Sequence, residues 1–194
     1  MLARRYNSVL VSGPPCSGKT SLSEALAEKT GWKVFSISDM IRERWLSKPQ
    51  GNRISFEQFC RKLSRAEILR MAGQASGLAK KGEIIIDARY PVGYPETTLK
   101  IYIWASPEVR AERIKLRQEY AGLTHEERIK TLGRIERDSV DTGMGLFGID
   151  YRDAAHYYVK LRTDHISTEE IANMLAGPLQ LKWLARAAET TTAK

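Results

Sequence analysis

The stretch SGPPCSGKTS at residues 12–21 directly follows the short apolar run SVLV at residues 8–11. From Gly13 to Thr20 it fits the eight-position pattern G-x-x-x-x-G-K-[ST]. The two glycines allow the backbone to turn tightly and to bring its N–H groups close to a ligand. A helix that begins after them presents unpaired N–H groups and the positive end of its dipole. The stretch therefore predicts a phosphate-binding loop between a strand and a helix.

The residue types in this loop predict how a triphosphate binds. Lys19 is expected to span the outer phosphates, and the Thr20 hydroxyl is expected to hold Mg²⁺. Gly13, Ser17 and Gly18 complete the set of loop residues expected to contact the phosphates. We therefore predict ATP and Mg²⁺ as cofactors.

Apolar runs and helical patterns alternate along the whole chain. The predicted strands are residues 8–12, 33–38, 83–87, 99–105 and 157–162. The predicted helices are residues 18–29, a helix from about 39, helical patterns over 55–79, and then 106–118, 124–139 and 167–176. A loop is expected at 47–54, a glycine-containing loop at 141–150 (DTGMGLFGID), a helix stop at Gly177-Pro178, and a frayed tail at ETTTAK. The alternation predicts one α/β domain over residues 1–194, a parallel five-stranded sheet with helices on both faces.

The charge balance favours partners that carry phosphate. The chain has 31 Lys and Arg residues against 23 Asp and Glu residues, a net charge of +8. Such a surplus suits nucleotides, nucleic acids or anionic membranes. Many of its arginines are singly placed, which favours a small-molecule site over a nucleic-acid stripe. No stretch reaches the roughly 18 apolar residues of a membrane span, so we expect no membrane partner.

The two cysteines indicate the compartment. Cys16 and Cys60 are far apart and do not have the spacing of a metal site. A disulfide framework is therefore not expected, and a reducing compartment such as the cytoplasm is.

Three further segments resemble cytidylate kinases. Residues 84–114 resemble the stretch in which a strand ends in Asp-Gly-Arg-Asp and a later strand leads into A-S-P-E-x-R-A-x-R. RIERDSVD at 134–141 resembles that family's lid pattern R-D-x-x-D-S-x-R, and ISDMIRE at 37–43 resembles its acceptor-phosphate segment. The resemblance implies a P-loop fold of the nucleoside monophosphate kinase type with a mobile lid. It also implies acceptor-binding helices at about 39–80 and a lid at about 117–150.

The resemblance implies roles for individual residues in transfer of the ATP γ-phosphoryl group to CMP or dCMP. Asp87 would lie near Mg²⁺ or the acceptor, and Arg42 and Arg89 would grip the acceptor phosphate. Arg134 and Asp138 would bind substrate from the lid, which would close on both nucleotides. Phosphoryl transfer needs positioning and positive charge, so Lys19, Asp87, Arg89 and Arg134 are the expected catalytic groups. Three arginines of the predicted helix 106–118 are spaced three or four residues apart: Arg110, Arg113 and Arg117. Arg113 is expected to face the ATP base, and the alternative is that all three lie on a solvated face.

At four positions the chain departs from the pattern of that family. Ala88 replaces the glycine before the key arginine, and Tyr90 replaces the aspartate after it. In the lid pattern Ile135 replaces the second residue and Asp141 replaces the last arginine. A carboxylate at position 141 would repel a nucleotide monophosphate, which leaves open an acceptor other than CMP.

Two alternative functions follow from the same residues. Asp39 follows the second strand, where a carboxylate could take the proton of an attacking alcohol or nucleoside hydroxyl. In that case the protein is a P-loop kinase for another small acceptor, whereas as a helix cap Asp39 would have no chemical role. The third reading is a nucleotide-dependent binding module without phosphotransfer.

Overall fold

Five parallel strands form the centre of the fold in a computed structural model, which describes residues 6–47 and 54–177. The strand order is β2-β3-β1-β4-β5, and each neighbouring pair is parallel. The strands are β1 (Ser8–Ser12), β2 (Lys33–Ser36), β3 (Ile84–Asp87), β4 (Thr98–Trp104) and β5 (Val159–Arg162). The predicted parallel five-stranded sheet is confirmed.

Helices lie between all successive strands except β3 and β4, and a last helix follows β5. They are α1 (Lys19–Thr30), α2 (Ile37–Ser47), α3 (Phe56–Arg61), α4 (Arg65–Lys81), α5 (Pro107–Ile114), α6 (His125–Phe147) and α7 (residues 168–177). Short 3-10 helices occupy Gln118–Tyr120 and Ala154–His156. Among the described residues, none of the helices combines the length and apolarity that crossing a membrane requires.

The central strand β1 is buried on both faces, which explains its continuous apolar run. On one face Val9 and Val11 pack in a cluster with Leu22 of α1 and with residues of α7. On the other face Leu10 packs in a cluster with Ala75 of α4. The prediction of helices on both faces is therefore confirmed, and β1 is held rigidly where it enters the phosphate-binding loop.

The predicted glycine-containing loop at 141–150 is wrong for most of its length, because α6 continues to Phe147. Gly143 lies inside the helix at a crowded place. A Cβ atom there would lie 2.8 Å from the Ile149 carbonyl oxygen and 3.0 Å from Cε1 of Tyr90. Close packing, rather than a turn, accounts for this glycine. The helix ends at Gly148, whose φ of 69° is the left-handed conformation common after helices.

Other boundaries differ by smaller amounts. The helical pattern at 55–79 divides into α3 and α4, because Ser64 forms a capping box with Glu67 that starts a new helix. Strand β2 ends at Ser36, so α2 begins before Asp39. Most of the loop expected at 47–54, the stop expected at Pro178 and the ETTTAK tail lie outside the described residues.

The packing of Gly143 predicts opposite effects at two glycines of α6. We expect Gly143→Ala to lower the free energy of unfolding by about 1–3 kcal/mol, because the new methyl group meets backbone. At Gly145 nothing lies within 4 Å of an added Cβ. Gly145→Ala should therefore raise that free energy by about 0.5–1 kcal/mol, as alanine does in helices. Urea unfolding of both variants tests this, and equal stability of the two would contradict it.

Candidate active site

The loop between β1 and α1 turns sharply beside the end of β4. Gly13 has a φ of 150° and Gly18 a φ of 96°. A Cβ atom on Gly13 would lie only 2.0 Å from the carbonyl oxygen of Ile103, so no other residue fits there without moving backbone. Cys16 is also left-handed, with a φ of 61°. Such alternation of backbone conformations is typical of concave loops that bind anions through their N–H groups.

Two polar side chains of this loop fit a triphosphate. The Ser17 hydroxyl is buried and has no hydrogen-bond partner within the described part of the chain. The Lys19 ammonium group donates to the Pro14 carbonyl at 2.9 Å, so it folds back over the loop. A phosphate oxygen would give both groups a better partner, since hydrogen bonds to charged groups are the stronger ones.

The electrostatics around Lys19 also favour an anion. Burial lowers the pKa of Lys19 to about 8, while the charge of Asp87 opposes this shift. The charges of Arg89 and Arg117 lower the pKa further. The sequence did not distinguish Arg117 from Arg110 and Arg113, the other arginines of the predicted helix 106–118. Two arginines thus act on Lys19, and an anionic ligand would offset their repulsion of its charge.

The Thr20 hydroxyl donates a 2.7 Å hydrogen bond to Asp87 Oδ2. Asp87 is the last residue of β3, is 2% exposed, and lies beside Val11 in the sheet register. The hydroxyl and the carboxylate are thus brought together by neighbouring strands. Mg²⁺ prefers oxygen ligands and usually takes only one or two from protein, the others coming from phosphates and water. The pair therefore fits the predicted metal site.

Arg113 braces the phosphate-binding loop from α5. Its guanidinium donates to Thr163 Oγ1 at 2.9 Å, to the Thr163 carbonyl at 2.5 Å and to the Cys16 carbonyl at 3.4 Å. The Thr163 hydroxyl in turn donates to the Ser17 carbonyl at 2.9 Å. Sequence analysis did not find Thr163, because only the sheet topology brings the end of β5 beside this loop.

The arginines predicted to bind the acceptor lie around α3. Burial raises the pKa of the Cys60 thiol to about 11, and the charges of Arg89 and Arg42 oppose that shift. The charge of Arg89 thus acts on a group of the phosphate-binding loop and on a group of α3. Arg42 stacks over the Phe56 ring at 4.3 Å and pairs with Glu119 at 3.6 Å.

The two predicted lid residues on α6 contact α3. Arg134 pairs with Glu57 at 2.9 Å. Asp138 accepts two hydrogen bonds from Arg61, at 2.6 and 2.9 Å. The partners of each pair are 77 residues apart in sequence, so Glu57 and Arg61 carried no signal that spacing could reveal.

Asp39 lies in the first turn of α2 and is exposed. Its backbone N–H donates to the Ser36 hydroxyl at 3.2 Å. Ser36 pairs in register with Asp87, so β2 and β3 end at the same edge of the sheet. Asp39 therefore comes shortly after β2, at the same edge of the sheet as the Thr20–Asp87 pair.

A family model described as an AAA domain (AAA_18) matches residues 9–133. The chain is 30% identical over 112 residues to a cytidylate kinase of Archaeoglobus fulgidus, covering 57% of this chain and 61% of the relative. It is 27% identical over 177 residues to a cytidylate kinase of Methanoregula boonei, covering 90% and 95%. These similarities confirm the predicted resemblance to cytidylate kinases.

Solved structures share the fold. A shikimate kinase from Acinetobacter baumannii is 16% identical with a TM-score of 0.57, covering 94% of this chain and 96% of that one. A gluconokinase from Sinorhizobium meliloti is 20% identical with a TM-score of 0.57, covering 97% and 98%. At these identities the likeness concerns the fold, and the predicted P-loop kinase fold is confirmed.

The lowered pKa of Lys19 predicts how triphosphate binding depends on pH. Below pH 8 the free protein holds Lys19 charged, and above it the free amine predominates. The affinity for Mg²⁺-ATP should therefore fall by up to about tenfold per pH unit above pH 8. Lys19→Ala should bind more weakly and lose this dependence. Calorimetry between pH 7 and 9.5 measures both.

The matched control is Lys29→Ala, because Lys29 stands at the other end of α1 and pairs with Glu169 at 2.6 Å. This variant should keep the pH dependence of the wild type. A fall in affinity above pH 8 that is as steep in Lys19→Ala as in the wild type would show that another group is responsible.

Proposed function

The chain belongs to the AAA domain family, and from its similarity to cytidylate kinases we propose that it transfers the γ-phosphoryl group of ATP to a nucleoside monophosphate, with CMP and dCMP as the leading acceptors. The observation that carries the proposal is the position of Arg89. Its charge acts both on Lys19 in the phosphate-binding loop and on Cys60 beside Arg42. A cation that acts on both a phosphate-binding loop and the surroundings of a second arginine suits transfer between two phosphates.

The phosphate-binding loop and Lys19 hold the triphosphate of ATP in this proposal. Thr20 and Asp87 would hold Mg²⁺, which supplies charge neutralisation on the phosphates when bound. Arg89 places positive charge beside the moving phosphoryl group, where negative charge is spread over three oxygens. Arg113 keeps the loop in place through the Cys16 carbonyl, an alternative to the predicted contact with the ATP base.

The acceptor phosphate would bind between Arg42 and Arg89. A phosphate is already ionised and needs no general base, so arginine forks that match its oxygens suffice. Residues 39–80 then provide the acceptor-binding helices, and residues 117–150, which include α6, provide the lid. The contacts of Arg134 and Asp138 with α3 support this, because they join the two regions over the space where an acceptor would lie. Such closure would exclude water from ATP.

A second candidate, a kinase for a small alcohol or nucleoside, is favoured by the surroundings of Tyr90. The Tyr90 hydroxyl donates to the Ser139 carbonyl at 2.9 Å, and its ring packs 5.2 Å from that of Phe147. Position 90 therefore lacks the carboxylate that cytidylate kinases have there to hold the acceptor nucleotide. The exposed Asp39 supplies a carboxylate that an alcohol acceptor could use.

Release of ADP from ATP and Mg²⁺ tests the proposal against a panel of nucleotides, nucleosides and small alcohols. We expect CMP or dCMP to give the highest kcat/KM, and Lys19→Ala to abolish transfer. Preference for an acceptor without phosphate would overturn the proposal in favour of the second candidate. Binding of ATP with no transfer to any acceptor would instead indicate a nucleotide-dependent binding module.

Two substitutions distinguish the two kinase classes. With a nucleoside monophosphate, Arg42→Ala should raise the acceptor KM at least tenfold, because it removes a charged partner of the phosphate. Asp39→Asn should then change kcat less than threefold. For an alcohol acceptor the order reverses, since loss of a general base costs about 10²–10⁴-fold in rate. Steady-state kinetics with the best acceptor decides between these patterns.

A further inference from the structure

Ser139 lies buried on α6 and uses its hydroxyl twice. The hydroxyl donates to the Ile135 carbonyl at 2.6 Å, one turn earlier in the helix. It also accepts a hydrogen bond from Nη1 of Arg89. A serine hydroxyl has one proton and two lone pairs. Because the proton points to the helix backbone, the lone pairs are left in a fixed direction toward Arg89.

Other contacts hold Arg89 without fixing the direction of its guanidinium. Its carbonyl accepts a 2.6 Å hydrogen bond from the Ser12 hydroxyl, which ties the backbone to the end of β1. Its guanidinium carbon lies 5.8 Å from the centre of the Tyr151 ring. Its Nε is buried and has no hydrogen-bond partner among the described residues. Ser139 thus provides the directional contact at the tip of the side chain.

The backbone of Ser139 binds the next residue after Arg89. Its carbonyl accepts the hydrogen bond from the Tyr90 hydroxyl, so two successive residues after β3 are fastened to one position of α6. Gly143, one turn later, leaves room for the Tyr90 ring. The position of α6 therefore determines where both side chains lie.

We propose that Ser139 is a positioning residue that aims the Arg89 guanidinium at the acceptor phosphate. This inference rests on the proposed function, because it requires Arg89 to bind that phosphate. A free arginine side chain has large rotamer entropy, and less of it is lost on binding when the group is already oriented. Because Ser139 belongs to α6, Arg89 is correctly aimed only while α6 stays in the position described here.

A double-mutant cycle between Ser139 and Arg89 tests the inference with the full chain. Ser139→Ala should lower kcat/KM for the nucleoside monophosphate about tenfold and change the KM for ATP less than twofold. In the Arg89→Ala background the same substitution should cause no further loss, because the group that it aims is absent. Ser139→Thr keeps the hydroxyl and should recover most of the activity.

The control is Thr30→Ala. The Thr30 hydroxyl makes the same kind of bond within its helix, to the Leu26 carbonyl at 2.7 Å, but stands at the far end of α1 from the phosphate-binding loop. Its kinetic constants should match those of the wild type. If Ser139→Ala does not fold, Ser139→Cys keeps a side chain of similar size with a weaker acceptor and should show the same selective loss.

The results separate failure of the inference from failure of the proposed function. Equal losses from Ser139→Ala with and without Arg89, or an equal rise in the KM for ATP, would overturn the positioning role while leaving the kinase proposal intact. A wild-type protein that phosphorylates no nucleoside monophosphate would overturn both.

Discussion

The close approach of Gly13 to the Ile103 carbonyl is the constraint on which the rest of the site depends. A side chain at position 13 would enter the backbone of β4, so the chain can leave β1 in this direction only with glycine. The turn places the N-terminus of α1 over the edge where the parallel strands end. Binding sites of open α/β sheets lie at that edge. Asp87 and Arg89 reach it from β3, and Thr163 reaches it after β5.

The same edge of the sheet brings cationic side chains close to Lys19. The charges of Arg89 and Arg117 both disfavour the charged form of Lys19, and Asp87 is the carboxylate that favours it. Such an arrangement is unfavourable in the free protein and becomes favourable when phosphates enter. Such a group of cations would suit a polyphosphate better than a singly charged ligand. The cations proposed to bind the acceptor are paired, Arg134 with Glu57 and Arg42 with Glu119, so a phosphate there would compete with carboxylates.

The features that the sequence predicted are those encoded by neighbouring residues. The apolar runs located all five strands, and the spacing from Gly13 to Thr20 located the phosphate-binding loop. The contacts of α6 were not predictable in this way. Its partners on α3 are 77 residues away, and Gly143 has the same local signal as a glycine in a turn. Only the packing against Tyr90 distinguishes this helical glycine from a glycine in a turn. The role of Ser139 has the same origin, because its partner Arg89 is 50 residues distant.

The raised pKa of Cys60 has a consequence for side reactions. The thiolate, rather than the thiol, is the reactive nucleophile of cysteine. With a pKa of about 11, Cys60 remains protonated at neutral pH although two arginines are near it. In a kinase with this architecture, the sulfur beside the acceptor position would not intercept the phosphoryl group. The burial that keeps this thiol neutral would thereby protect the protein from phosphorylating itself.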